Sequence, residues 1–160
     1  MELKDLLIKM IKAIDFFKNI SDEQALELSK DFVLNIYQGW FPIIREWTKP
    51  EKIYLLKNWN LEVKKAKGFE TIKLWEIKPW EIFGEMSYIN DTRALASVTA
   101  IQTCDIWEID VAKFDSFLKS NPDIKKDVLN IMSQRQKINQ EKLVDMPPES
   151  LWEEHLKILL

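Results

Sequence analysis

Apolar residues recur at helical spacing only towards the two ends of the chain, and between them the period shortens to that of strands. Over residues 3–18, Leu3, Leu7, Met10, Ile14 and Phe17 share one side of a helix, with Lys4, Lys12, Asp15 and Lys18 off it. Such a helix packs on its own domain or offers its stripe to a partner. Ser21 with Gln24 three residues on makes a capping box. It predicts a second helix to about Lys30, with Ala25, Leu26 and Leu28 available for burial. From 32 to 109, short runs predict strands at 33–38, 42–46, 52–57, 60–66, 71–77, 96–101 and 104–109, with an extended piece near 81–83. Their inward faces come from Val33 and Leu34, Ile43 and Ile44, Ile53 and Leu55, Leu61 and Val63, Ile72 and Leu74, and Cys104 and Ile106. Short strands at this spacing predict a sandwich, roll or barrel.

Helical spacing then returns. Residues 111–118 predict a short helix with Phe114, Phe117 and Leu118 inward. Asn121 and Pro122 suit an N-cap and a first helical position. They start a helix to about Lys142 whose apolar side is Ile124, Val128, Ile131, Met132 and Ile138. Met146, Pro147 and Pro148 end it, and a last amphipathic helix over 150–159 carries Trp152, Leu156 and Leu159. The expected organisation is one α+β, mainly β, domain: helices over 1–31, strands over 32–110, helices over 111–160.

Composition narrows the function classes. With 160 residues, 46% hydrophobic and 31% charged, the chain is an ordinary globular one, large enough for a core without staples. No apolar run approaches the ~20 residues of a membrane span. Lys4, Lys9 and Lys12 interrupt any signal peptide. The single cysteine, Cys104, supplies no disulfide framework, so a reducing, cytoplasmic setting is expected. A net charge of −3 argues against nucleic-acid binding. A metal-binding β-roll enzyme of the cupin kind would need several histidines. The one histidine, His155, is far from the strands, and Cys104 sits in an apolar strand as a core residue would. No catalytic and no metal site is expected.

The candidate chemistry lies in residues 83–100, FGEMSYINDTRALASVTA. Gly84 frees backbone N–H groups for close approach. Glu85 can accept hydrogen bonds from sugar hydroxyls, and Arg93 across a short polar turn, 90–93, can meet a phosphate. Each has a plainer alternative. Glu85 can be a carboxylate satisfied by turn N–H groups, Arg93 a solvated turn residue, and Ser97 an outward strand residue rather than a phosphate donor.

This stretch resembles the phosphate cassette of the cyclic nucleotide-binding domain family, the regulatory β-roll of Crp/Fnr-type proteins. Gly84, Glu85, Met86, Ser87, Ala96, Ser97, Val98 and Ala100 match its pattern. Residues 39–63, GWFPIIREWTKPEKIYLLKNWNLEV, align without a gap to its early strands, and 74–85, LWEIKPWEIFGE, to its next hairpin. The resemblance covers about 15–140 and implies a double-stranded β-helix, or jelly roll, flanked by helices. It implies a cyclic AMP or cyclic GMP ligand, no cofactor, and a ligand site at Phe83, Gly84, Glu85, Met86, Ser87, Arg93, Ala94, Leu95, Ala96 and Ser97. By that resemblance Glu85 holds the ribose 2′-hydroxyl. The family's phosphate-binding arginine falls at Ala94, with Arg93 one place early. The helix over 122–142 would close over the base and pair with a second subunit, unless its stripe packs back on the roll. About twenty residues follow Asn139, too few for the helix-turn-helix of family members that bind DNA. The implied function is a cyclic-nucleotide sensor signalling through its C-terminal helices; the alternative is a non-binding member serving protein interaction.

The same alignment sets Trp40, Trp47, Trp59 and Trp80 where the family has turn glycines, in a chain with three glycines and seven tryptophans. A bulky residue held at φ > 0 costs on the order of 1–3 kcal/mol. Either these turns are rebuilt around tryptophan, or their codons are UGA, which some bacterial codes read as glycine and others as tryptophan.

Overall fold

The computed structural model describes residues 2–145, with side-chain surroundings over 2–134. Helix α1 (Leu3–Ala13) stops where two phenylalanines follow one another. Ile14 is extended, at φ −70° and ψ 129°, and Asp15–Phe17 form one 3-10 turn. In a continuous helix Phe16 and Phe17 would point about 100° apart. The break brings both into the core, their rings edge-on at 4.8 Å between centroids. The helix expected over 3–18 is therefore two pieces, and Leu3 is 48% exposed. Helix α2 (Asp22–Ser29) carries the expected capping box: Gln24 N–H donates to Ser21 Oγ at 3.1 Å and Ser21 N–H to Gln24 Oε1 at 3.0 Å. Ala25 and Leu28 are buried, whereas Leu26, expected inside, faces solvent. Its one-residue offset from Ala25 turns it off the buried side.

Eight strands follow: β1 (Val33–Tyr37), β2 (Pro42–Ile44), β3 (Lys52–Leu56), β4 (Leu61–Lys67), β5 (Glu70–Ile77), β6 (Ile82–Phe83), β7 (Ser97–Ala100) and β8 (Cys104–Asp110). They form two four-stranded antiparallel sheets, ordered β1-β8-β3-β6 and β2-β7-β4-β5. This is the expected roll. Two of its predicted inward residues are exposed. Val33 opens the edge strand β1, and Ile72 lies on the arm of the β4–β5 hairpin that β7, paired only with Leu61–Lys64, does not reach.

Alternation along β3 and β8 divides the apolar residues between two cores. Leu56, Cys104 and Ile106 face the roll interior with Leu61, Val63, Phe83, Ala94, Ala96 and Val98. Ile53, Leu55, Trp107 and Ile109 face the helices, where Leu7, Met10, Phe16, Phe17, Phe114 and Phe117 pack. Helix α3 (Glu85–Asn90) connects the two: Phe83, just before it, is in the roll core and Met86, within it, is in the helical core. The sequence reading gives no helix here, only a polar turn over 90–93, which begins where α3 ends.

Helices α4 (Val111–Ser120) and α5 (Pro122–Asp145) close the described chain. Ile124, Val128 and Met132 are buried in the helical core, where α5 packs on the 3-10 turn and on α4, and Ile131 packs partly on the same core. Of the two readings of this stripe, its inner part is taken up by the chain's own domain. The expected stop at 146–148, the helix over 150–159, His155 and the surroundings of Ile138 lie outside the described residues. No described helix is long and apolar enough to cross a membrane.

Candidate functional site

Gly84 has a left-handed backbone, φ 86° and ψ −10°, which turns β6 into α3. A Cβ there would lie 3.2 Å from the Lys52 carbonyl oxygen and 3.4 Å from Tyr54 Cδ2. Glycine is needed on both counts. The turn drives Glu85 inward, leaving it 5% exposed, with Oε2 lacking a hydrogen-bond partner among the described residues. Burial, reinforced by the nearby charge of Glu81 and opposed by a bond from its own backbone N–H, pushes the Glu85 carboxyl up to about 8. Buried Ser87 Oγ and Thr92 Oγ1 are likewise without partners. Native proteins seldom leave such groups unpaired. Three in one eight-residue span mark the cassette as a place with hydrogen-bonding capacity to spare.

The far side of the cassette is stitched to the β2–β3 turn. Trp47 N–H donates to the Ala94 carbonyl at 2.7 Å, and Ala94 N–H to that of Thr48 at 2.8 Å. Glu46 N–H donates to Ser97 Oγ at 3.0 Å, and Lys65 Nζ reaches the Leu95 carbonyl at 2.9 Å and Glu46 Oε1 at 3.1 Å. Arg93 points outward, its Nη1 on the Trp47 carbonyl at 3.0 Å. Ala94, at the position of the expected cation, is fully buried in the roll core.

The ten expected site residues therefore separate. Glu85 and Ser87 carry unpaired polar atoms. Gly84 supplies the turn. Phe83, Met86, Ala94 and Ala96 put their side chains into the two cores, Leu95 packs partly against the roll core, and Ser97 and Arg93 brace the β2–β3 turn. Sequence reading missed Glu46 and Lys65, whose approach to the cassette depends on the pairing of β7 with β2 and with β4. It also missed Tyr88, which donates its hydroxyl to Asp115 of α4 and meets Phe114 edge-on at 5.7 Å. Burial and the neighbouring Asp115 carboxylate raise the Tyr88 phenol well above its ordinary value.

Glu85 and Phe83 also line a cleft of about 870 Å³ between the end of α1 and the β5–β6 connection, walled by Trp75 and Trp80. Away from it, buried Glu108 accepts hydrogen bonds from Asn35 Nδ2 and Lys52 Nζ, both at 2.9 Å, and from the Tyr37 hydroxyl. That carboxylate is satisfied. Cys104 is buried, its thiol pushed up to about 11 by burial, and no metal-holding group of side chains occurs among the described residues.

The model of the cyclic nucleotide-binding domain family matches residues 42–121. Among solved structures, the regulatory domain of Toxoplasma gondii PKA, crystallised with cAMP, is similar at 18% identity and TM-score 0.71, over 82% of this chain and 51% of that one. A regulatory subunit of a cAMP-independent protein kinase A from Trypanosoma cruzi, bound to guanosine, is similar at 18% identity and TM-score 0.68, over 96% and 49%. The N-terminal domain of a transcriptional regulator from Streptomyces coelicolor A3(2) is similar at 16% identity and TM-score 0.73, over 84% and 94%. This chain spans about half the length of the kinase regulatory chains it matches.

Proposed function

Because this chain belongs to the cyclic nucleotide-binding domain family, we propose that it is a regulatory sensor, not an enzyme, that holds a cyclic-nucleotide-type ligand by its ribose on Glu85. The observation that carries the reading is the buried Glu85 carboxyl with Oε2 unpartnered beside the left-handed Gly84. An unpaired buried acceptor costs about 1–3 kcal/mol. A ribose hydroxyl donating into it would recover that, with a charge-assisted bond once the carboxyl ionises.

The signal would leave through α3. Met86 and Tyr88 connect the cassette to Phe114 and Asp115 of α4, and α4 leads into α5. A ligand that shifts α3 by repacking around Glu85 would shift that contact, provided it binds the two arrangements with different affinity.

The ligand's phosphate is the weak point. Within 83–100 the one cation is Arg93, and it is held on the Trp47 carbonyl. Buried Ala94 therefore favours a second reading of the same site, a ribonucleoside without phosphate, such as the guanosine bound by the Trypanosoma cruzi relative. Calorimetric titration with cyclic AMP, cyclic GMP and guanosine separates the two. Binding of a cyclic nucleotide that is lost in Glu85→Ala is the expected result. Binding of guanosine alone supports the second reading, and no binding at millimolar concentrations removes both.

A further inference from the structure

The described chain has five non-glycine residues at positive φ, and four of them are tryptophan: Trp40 at 70°, Trp47 at 69°, Trp59 at 59° and Trp80 at 74°. The fifth, Asp91, ends α3 in a conformation that short polar side chains tolerate. A tryptophan gains no such local hydrogen bond, and its Cβ meets the steric penalty that makes this region favour glycine. Each of the four occupies a different connection of the roll: β1–β2, β2–β3, β3–β4 and β5–β6. The β4–β5 hairpin solves the same problem with a glycine, Gly68 at 64°.

Three of these four backbones are held in place. The N–H groups of Trp40, Trp47 and Trp80 donate to the carbonyls of Ala100, Ala94 and Leu56, each at 2.7 Å. Leaving the left-handed region would break those bonds. Nor are the side chains buried in compensation. The indoles are 70, 60, 55 and 42% exposed in chain order. Lys64 and Lys65 lie over the rings of Trp40 and Trp47 at 5.4 Å; Trp59 and Trp80 have no such contact among the described residues. Turns rebuilt around tryptophan would show packed indoles or an altered backbone, and these show neither. Trp107 is the contrast: it sits in β8, 4% exposed, within the helical core.

We infer that the protein is synthesised with glycine at positions 40, 47, 59 and 80, from UGA codons that its own cell reads as glycine. The four left-handed backbones, the four exposed indoles and the N–H hydrogen bonds of residues 40, 47 and 80 are those of glycine turns. Glycine at 47 leaves the backbone bonds to Ala94 and Arg93 intact, and glycine at 80 widens the mouth of the cleft beside Glu85. The inference stands whichever ligand that site takes.

The test is to read the five codons in the gene and to sequence the corresponding peptides, by mass spectrometry, from the protein isolated from its own cells. UGA at positions 40, 47, 59 and 80, UGG at position 107, and native peptides carrying glycine at the four turns are expected. UGG at any of the four turns, or a native peptide carrying tryptophan there, overturns the inference.

Discussion

Trp47 and Ala94 are joined backbone to backbone, the N–H of Trp47 on the carbonyl of Ala94 at 2.7 Å. That bond fixes the β2–β3 turn against the cassette at the position where the family pattern sets its phosphate-binding arginine. With alanine there, the roll core closes over the position, and Arg93 is left to brace the turn from outside.

Ala94→Arg should therefore create a phosphate contact. A charge-assisted hydrogen bond contributes about 1.5–3 kcal/mol, so affinity for cyclic AMP should rise by roughly one to two powers of ten. Guanosine affinity should not rise. Calorimetry on a variant shown to be folded by circular dichroism measures both. An unchanged cyclic AMP affinity would mean that the phosphate does not lie over residue 94.

Glu85 gives the domain a pH dependence of defined sign. Its carboxyl is raised from 4.5 to about 8 by burial, so the folded state holds a proton that the unfolded state releases near its ordinary value. The stabilisation is fully present below about pH 4.5 and is lost as pH rises to about 8, at a slope of at most ~1.4 kcal/mol per pH unit. Glu85→Gln should flatten that slope in denaturant titrations between pH 5 and 8. Ligand affinity should move the other way, rising towards pH 8, because ribose hydroxyls donate best to the ionised carboxylate.

Replacing Trp40, Trp47, Trp59 and Trp80 together by glycine should stabilise the chain. Each left-handed tryptophan costs on the order of 1–3 kcal/mol, offset by ~0.5–1 kcal/mol where a lysine covers the ring and by glycine's similar entropy cost. The net gain of several kcal/mol corresponds to a rise in Tm on the order of 10 °C. A fall in Tm on scanning calorimetry would show that the indoles contribute more burial than their exposure indicates.

Met132 is buried in the chain's own helical core, so Met132→Ala should act on folding. A loss of about 2–5 kcal/mol is expected in urea unfolding. Light scattering should give the same mass for the variant and the parent. Conversion of a dimer into a folded monomer of undiminished stability would instead assign Met132 to a subunit interface.

Strand number, strand limits to within a few residues and the capping box of α2 were legible in the chain, because local alternation and cap chemistry depend on neighbours a few residues away. So were the four turns, because the strand residues around them keep the spacing that the roll needs. The tertiary structure decided what depends on distant partners. Phe16 and Phe17 break the first helix because both find core behind it, and Val33 and Ile72 lose their burial because no strand covers them. Ile124, Val128 and Met132 are taken by the helices that fold against them. Glu85 is an unpaired buried acid only because Gly84 turns it inward, and Arg93 is out of reach of the cassette interior only because the Trp47 carbonyl lies within 3.0 Å of it. A sequence names the groups a site could use; which of them remain unsatisfied is settled by where the rest of the chain puts its own donors and acceptors.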